Sequence, residues 1–139
     1  MAFIADEVRL FEIKSEMQSL IATICEERLA SDVDASIMRQ HLLDVFLRTN
    51  SRLLVVDFTA VRFFSSAYVG MLLHLRNLVH SSGGELVIVG MDVPLNEVMR
   101  IMNLQQVFKT YRCVDEALKA RFGSIDGQSA AIAPGQLCT

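Results

Sequence analysis

The chain has no tryptophan, only two prolines and three cysteines in 139 residues. So few prolines suit a chain built from regular elements. Cys25, Cys113 and Cys138 are odd in number and far apart, with no metal-ligand spacing. Cys25 and Cys113 read as small apolar strand residues and Cys138 as a tail residue. No apolar run reaches the roughly 18 residues of a membrane-spanning helix. The opening MAFIADEVRL lacks the basic segment and long apolar region of a signal peptide. A cytoplasmic location is therefore expected. Basic charge is scarce: 13 Lys and Arg stand against 16 Asp and Glu, a net charge of −3. A nucleic-acid surface usually needs a basic patch, so none is expected. No internal repeat occurs.

Catalytic patterns are missing too. Gly-x-Ser-x-Gly is absent, and Ser66 has no histidine or aspartate near it in sequence to act as a base. Gly83-Gly84 reads as a helix stop and not as a phosphate-cradling loop. His41, His74 and His80 fall on predicted helices without a paired Cys or carboxylate at ligand spacing. An enzyme, a metal and a cofactor are all unexpected. What the chain does have is apolar residues, at 52%. That amount argues for one folded domain with a sizeable core.

The organising stretch is residues 53–84. The apolar run 53–56, closed by Asp57, reads as a strand covered on both faces. A short connection over 59–64 follows. Ser65 and Ser66 then precede a 3.6-residue pattern of Val69, Leu72, Leu73, Arg76, Leu78 and Val79, which ends at Ser81-Ser82-Gly83-Gly84. Two hydroxyls thus stand at a helix N-terminus. The first N–H groups of a helix lack intrahelical partners, and the helix dipole adds positive charge there. Such a place accepts an anion, including a phosphate on serine. It also suits a serine that merely caps the helix.

Around this stretch the spacing predicts a strand over 10–17, a strand over 20–25 that can pair with it as a hairpin, and a polar loop over 26–34. Glu26-Glu27 reads as a solvated loop edge before a metal site. A helix is predicted over 34–48, with Ile37, Leu42 or His41, Val45 and Phe46 inward. A doubly covered strand follows over 85–91. The next helix, capped by Asp92 with Pro94 in its first turn, runs to about residue 103. Its predicted stripe is Leu95, Val98, Ile101 and Met102. The chain then gives a strand over 108–113 and a helix over 114–122 capped by Asp115. The fold class is α/β: a mixed, mostly parallel sheet of about five strands with about four helices. The domain is drawn at residues 1–123, with 124–139 as a flexible tail.

This order of elements, and the words LLVVDFTAVRFFSSAYVGMLLHL and GGELVIVGMDVPLNEVMRIMNLQQVFKTYRCVDEAL, resemble the STAS family of sulphate-transporter and anti-sigma-factor-antagonist domains. In the bacterial antagonists a strand ending in an acid leads to Asp-Ser-Ser-Gly-Leu-Gly at a helix start, and the first of those serines is phosphorylated by a partner kinase. The resemblance places the acceptor at Ser66, with Ser65 as second choice. The family's Asp falls on Ser65, its second serine on Ala67, its next Gly on Tyr68 and its later Gly on Gly70. The Asp and the first Gly are therefore lost. The family's Gly-Glu-Leu-Asp word is also degraded, to Glu27-Arg28-Leu29-Ala30.

The resemblance implies a partner-switching module of bacterial transcription or stress signalling, not an enzyme. Its contact residues would be Ser65, Ala67, Tyr68 and Met71. An anti-sigma factor or serine protein kinase is the implied partner, with a PP2C-type phosphatase and a second copy of the chain as further candidates. Two other readings stand beside it. One is a constitutive scaffold of the same fold within a larger regulatory assembly. The other is a receiver-like domain phosphorylated on Asp57, with Glu26-Glu27 and Lys109 as loose substitutes for the receiver's metal-binding acids and lysine.

Overall fold

The computed structural model describes residues 11–16 and 18–122. Strand β1 (Phe11–Glu16) and β2 (Ser19–Ile24) form the expected antiparallel hairpin, with Phe11 opposite Ile24 and Glu16 opposite Ser19. Gln18 supplies the turn from the left-handed region, at φ 63°. The sheet continues in parallel through β4 (Leu53–Asp57), β6 (Glu85–Val89) and β7 (Lys109–Tyr111), in the order β1-β2-β4-β6-β7. The mixed five-stranded sheet and the four helices among the described residues agree with the sequence reading. The predicted tail, 124–139, lies outside the described residues.

Helices α1 (Asp32–Arg48), α2 (Ser66–Ser81) and α3 (Val93–Ile101) help close one core cluster, while α4 (Val114–Phe122) closes a second. Alternation along the strands decides which core a residue joins. Leu54, Val56, Leu86 and Ile88 enter the first; Leu53, Val55, Val87 and Val89 enter the second. Side chains of β4 from Leu53 to Val56 are 0% exposed, as the continuous apolar run requires.

Several expectations are corrected. The loop 26–34 contains β3 (Arg28–Leu29), which pairs in parallel with β5 (Phe63–Phe64) as a second, two-stranded sheet. Two-residue strands leave no periodic signal. Helix α1 starts at Asp32 and not at residue 34; Ser31, one of the cap candidates with Asp32 and Asp34, caps it, its side chain accepting from the Asp34 N–H at 3.2 Å. Its buried face is Ala35, Met38, Leu42 and Phe46: Leu42 and Phe46 are inward as predicted, while Ile37 and Val45 are only half-buried. On α3 the inner residues are Leu95 and Met99, whereas Val98, Ile101 and Met102 face outward. Asp92 caps α3 as expected, accepting from Leu95 N–H at 3.0 Å. Asp115 sits inside the first turn of α4 and is not its cap. Cys25 is exposed just past β2, and Cys113 lies between β7 and α4 rather than on a strand.

Candidate functional site

Ser66 is the first residue of α2, at the C-terminal end of the sheet, where β4 has just delivered the chain. The path between them is tightly held. Asp57 ends β4 and its Oδ1 accepts from the Thr59 N–H at 2.9 Å and from Thr59 Oγ1 at 2.5 Å. Gly90 makes room for this turn: at φ +78°, a Cβ there would collide with Thr59 Oγ1 and stand 3.0 Å from Asp57 Oδ1. Arg62 reaches the cap of α3, 3.5 Å from Asp92. The N–H groups of Arg62 and Phe63 both donate to the Glu27 carbonyl, at 2.8 and 3.1 Å, and the Ser65 N–H donates to Leu29. The Arg28 guanidinium covers the Phe63 ring at 4.5 Å.

The two serines have opposite environments. Ser66 is exposed. Ser65 is the N-cap residue, but its side chain caps nothing. Its Oγ is sealed from solvent without a hydrogen-bond partner. Its carbonyl instead receives the Tyr68 and Val69 N–H groups at 3.1 and 3.2 Å. Among the described residues the N–H groups of Ser66 and Ala67 have no partner. The first turn of α2 contains no acidic side chain. Two free donors and the positive end of a 16-residue helix therefore sit beside the Ser66 hydroxyl.

Tyr68 and Met71, expected in the contact face, lie in the core at 1% and 7% exposure. The reason is register. Tyr68, Leu72, Leu75 and Val79 recur at helical spacing, and Tyr68 heads the buried stripe of α2. Burial, then the nearby charges of Asp34 and Glu26, pushes its phenol up to about 12. The exposed face of α2 carries Ser66, Gly70 and His74 instead, and Ala67 is half-buried beside them. A Cβ on Gly70 would meet nothing within 4 Å.

A model of the STAS domain matches residues 2–117. The chain belongs to the STAS family. An anti-sigma-factor antagonist (STAS) domain protein from Planctomyces limnophilus has the same fold, with a TM-score of 0.70 at 18% identity, over 79% of this chain and 96% of that one. An anti-sigma factor antagonist from Mycobacterium paratuberculosis gives 0.68 at 18% identity, over 85% and 97%. The Bacillus cell fate determinant SpoIIAA in its phosphorylated form gives 0.62 at 13% identity, over 79% and 97%.

A STAS sheet with an antiparallel first hairpin removes the receiver reading. Asp57 is committed to Thr59, and Lys109 pairs with Glu85 at 3.1 Å. Glu26 and Glu27 are exposed. No group of three His, Cys, Asp or Glu side chains among the described residues is placed to hold a metal. No helix among them is long and apolar enough to cross a membrane.

Proposed function

We propose that this STAS domain is a binding module of the anti-sigma factor antagonist kind, and that phosphate on Ser66 turns its association off. The observation that carries the reading is the contrast between the serines: Ser66 is exposed at the start of α2, while the Ser65 hydroxyl is sealed. A kinase reaches the first and not the second. Phosphorylation adds roughly −1.5 to −2 charge at neutral pH. The helix end and the two unpartnered N–H groups accept that charge without refolding. A partner surface shaped for a neutral hydroxyl does not, because a dianion at a desolvated contact costs several kcal/mol or more.

The phosphorylated form of SpoIIAA, a structural neighbour, supports the same chemistry here. The partner is an anti-sigma factor with serine kinase activity, and a PP2C-type phosphatase restores the hydroxyl. The contact face is Ser66, Ala67 and Gly70 with the neighbouring Phe63, which is 39% exposed. Gly70 supports this face independently. Glycine inside a helix costs up to about 1 kcal/mol against alanine, and nothing within the domain crowds a Cβ there. Close approach of another protein supplies the reason for it.

The test is site mapping by mass spectrometry after incubation with ATP and the serine kinase of the source organism. Phosphate on Ser66 is the expected result. Phosphate on no serine leaves the constitutive scaffold, and phosphate on Ser65 contradicts the burial argument.

A further inference from the structure

A second site lies farther along α2, roughly 15 Å from Ser66 by the rise of ten helical residues. A cavity of about 410 Å³ opens between α2, the start of β6 and the 3₁₀ turn Leu104–Gln106 that leads to β7. Its wall holds Arg76, His80, Gln106 and Lys109, with Glu85 as the one carboxylate. Two cations, Arg76 and Lys109, share this concavity with one carboxylate, on a chain whose net charge is −3.

Arg76 is the telling residue. It is half-buried, and its Nε donates to the Val107 carbonyl at 2.9 Å while Nη1 donates to Asn77 Oδ1 at 3.2 Å. Among the described residues it has no carboxylate partner. A partly desolvated guanidinium is normally paired, because an uncompensated charge is expensive to remove from water. The bond to Val107 explains why Arg76 stays in place, and with the bond to Asn77 it leaves Nη2 without a partner among the described residues. Lys109 is held at the rim by Glu85 at 3.1 Å.

We infer that this cavity binds a small organic phosphate, with Arg76 as its principal anion contact and His80, Gln106 and Lys109 as supporting donors. Several donors around one concavity suit a tetrahedral dianion better than a planar monoanion. The volume exceeds that of a bare phosphate and falls in the range of small-molecule pockets. The site does not depend on Ser66 or on any partner protein.

The test is a titration of the ¹⁵N-labelled full chain with glucose 6-phosphate, and separately with inorganic phosphate, at constant ionic strength. The expected result is one saturable set of shifts centred on residues 76, 80 and 106–109 for both probes, with the sugar phosphate the tighter. Arg76→Gln and Lys109→Gln should each weaken binding at least tenfold, while Arg48→Gln on α1 leaves it unchanged. Lys109 is exposed, so its variant stands even where loss of the Arg76–Val107 bond unsettles the fold. Absence of saturable shifts, shifts centred on the start of α2, equal affinity for both probes, or undiminished binding in both variants would overturn the site.

Discussion

The Ser65 N–H donates to the Leu29 carbonyl at 2.8 Å, tying the start of α2 to a strand that lies before α1. That bond, with the β3–β5 pairing, fixes the orientation of the helix end carrying Ser66. The exposed hydroxyl is therefore presented by a rigid corner and not by a loose loop. A rigid corner lets a charge change act on a partner without being absorbed by local motion.

Gly90 is the tightest point behind this corner. Gly90→Ala combines a left-handed backbone with a collision against Thr59, and should destabilise the domain by about 2 kcal/mol or more. Adding Thr59→Ala removes the colliding side chain and should recover part of the loss. Chemical denaturation of the two single variants and the double variant measures this coupling. Simple additivity would mean the two residues do not share the space.

Gly70→Ala should act in the opposite direction. With open space around the Cβ, the variant gains about 0.5–1 kcal/mol in stability from helix propensity. Because the new methyl lies on the same face as Ser66, affinity for the partner should fall several-fold. A variant that is both more stable and equally well bound would remove Gly70 from the contact face.

Tyr68 gives a pH signature. Its phenol is pushed from 10.0 to about 12 in the folded chain. Below pH 10 both folded and unfolded forms keep the proton, and the stabilisation is intact. Between pH 10 and 12 the unfolded chain sheds a proton that the folded chain retains, so stability falls as pH rises. Tyr68→Phe should flatten that part of the denaturation profile relative to wild type. Tyr68→Ala should cost about 3–5 kcal/mol at neutral pH, as loss of a buried aromatic ring does.

Much of this was legible in the residues. The run 53–56 and the pattern from Val69 to Val79 located the central strand and helix, because both are long and strongly periodic. The side chains around Ser66 were less legible. Tyr68 stands where the resembled family has glycine, and that correspondence points to a surface role. Its spacing of four, seven and eleven residues from Leu72, Leu75 and Val79 carried the opposite message, and packing followed the spacing. The β3–β5 pair was invisible because two residues per strand set no period and its partners are 35 positions apart. The sealing of the Ser65 hydroxyl is a tertiary fact that no local pattern encodes.

The most direct measurement compares the affinity of the proposed anti-sigma partner for Ser66→Asp and Ser66→Ala, by calorimetry on the folded chain at physiological salt. The account predicts that the alanine variant binds nearly as wild type and that the aspartate variant binds at least about thirtyfold more weakly, a loss of roughly 2 kcal/mol. Equal affinities for the two variants would contradict it.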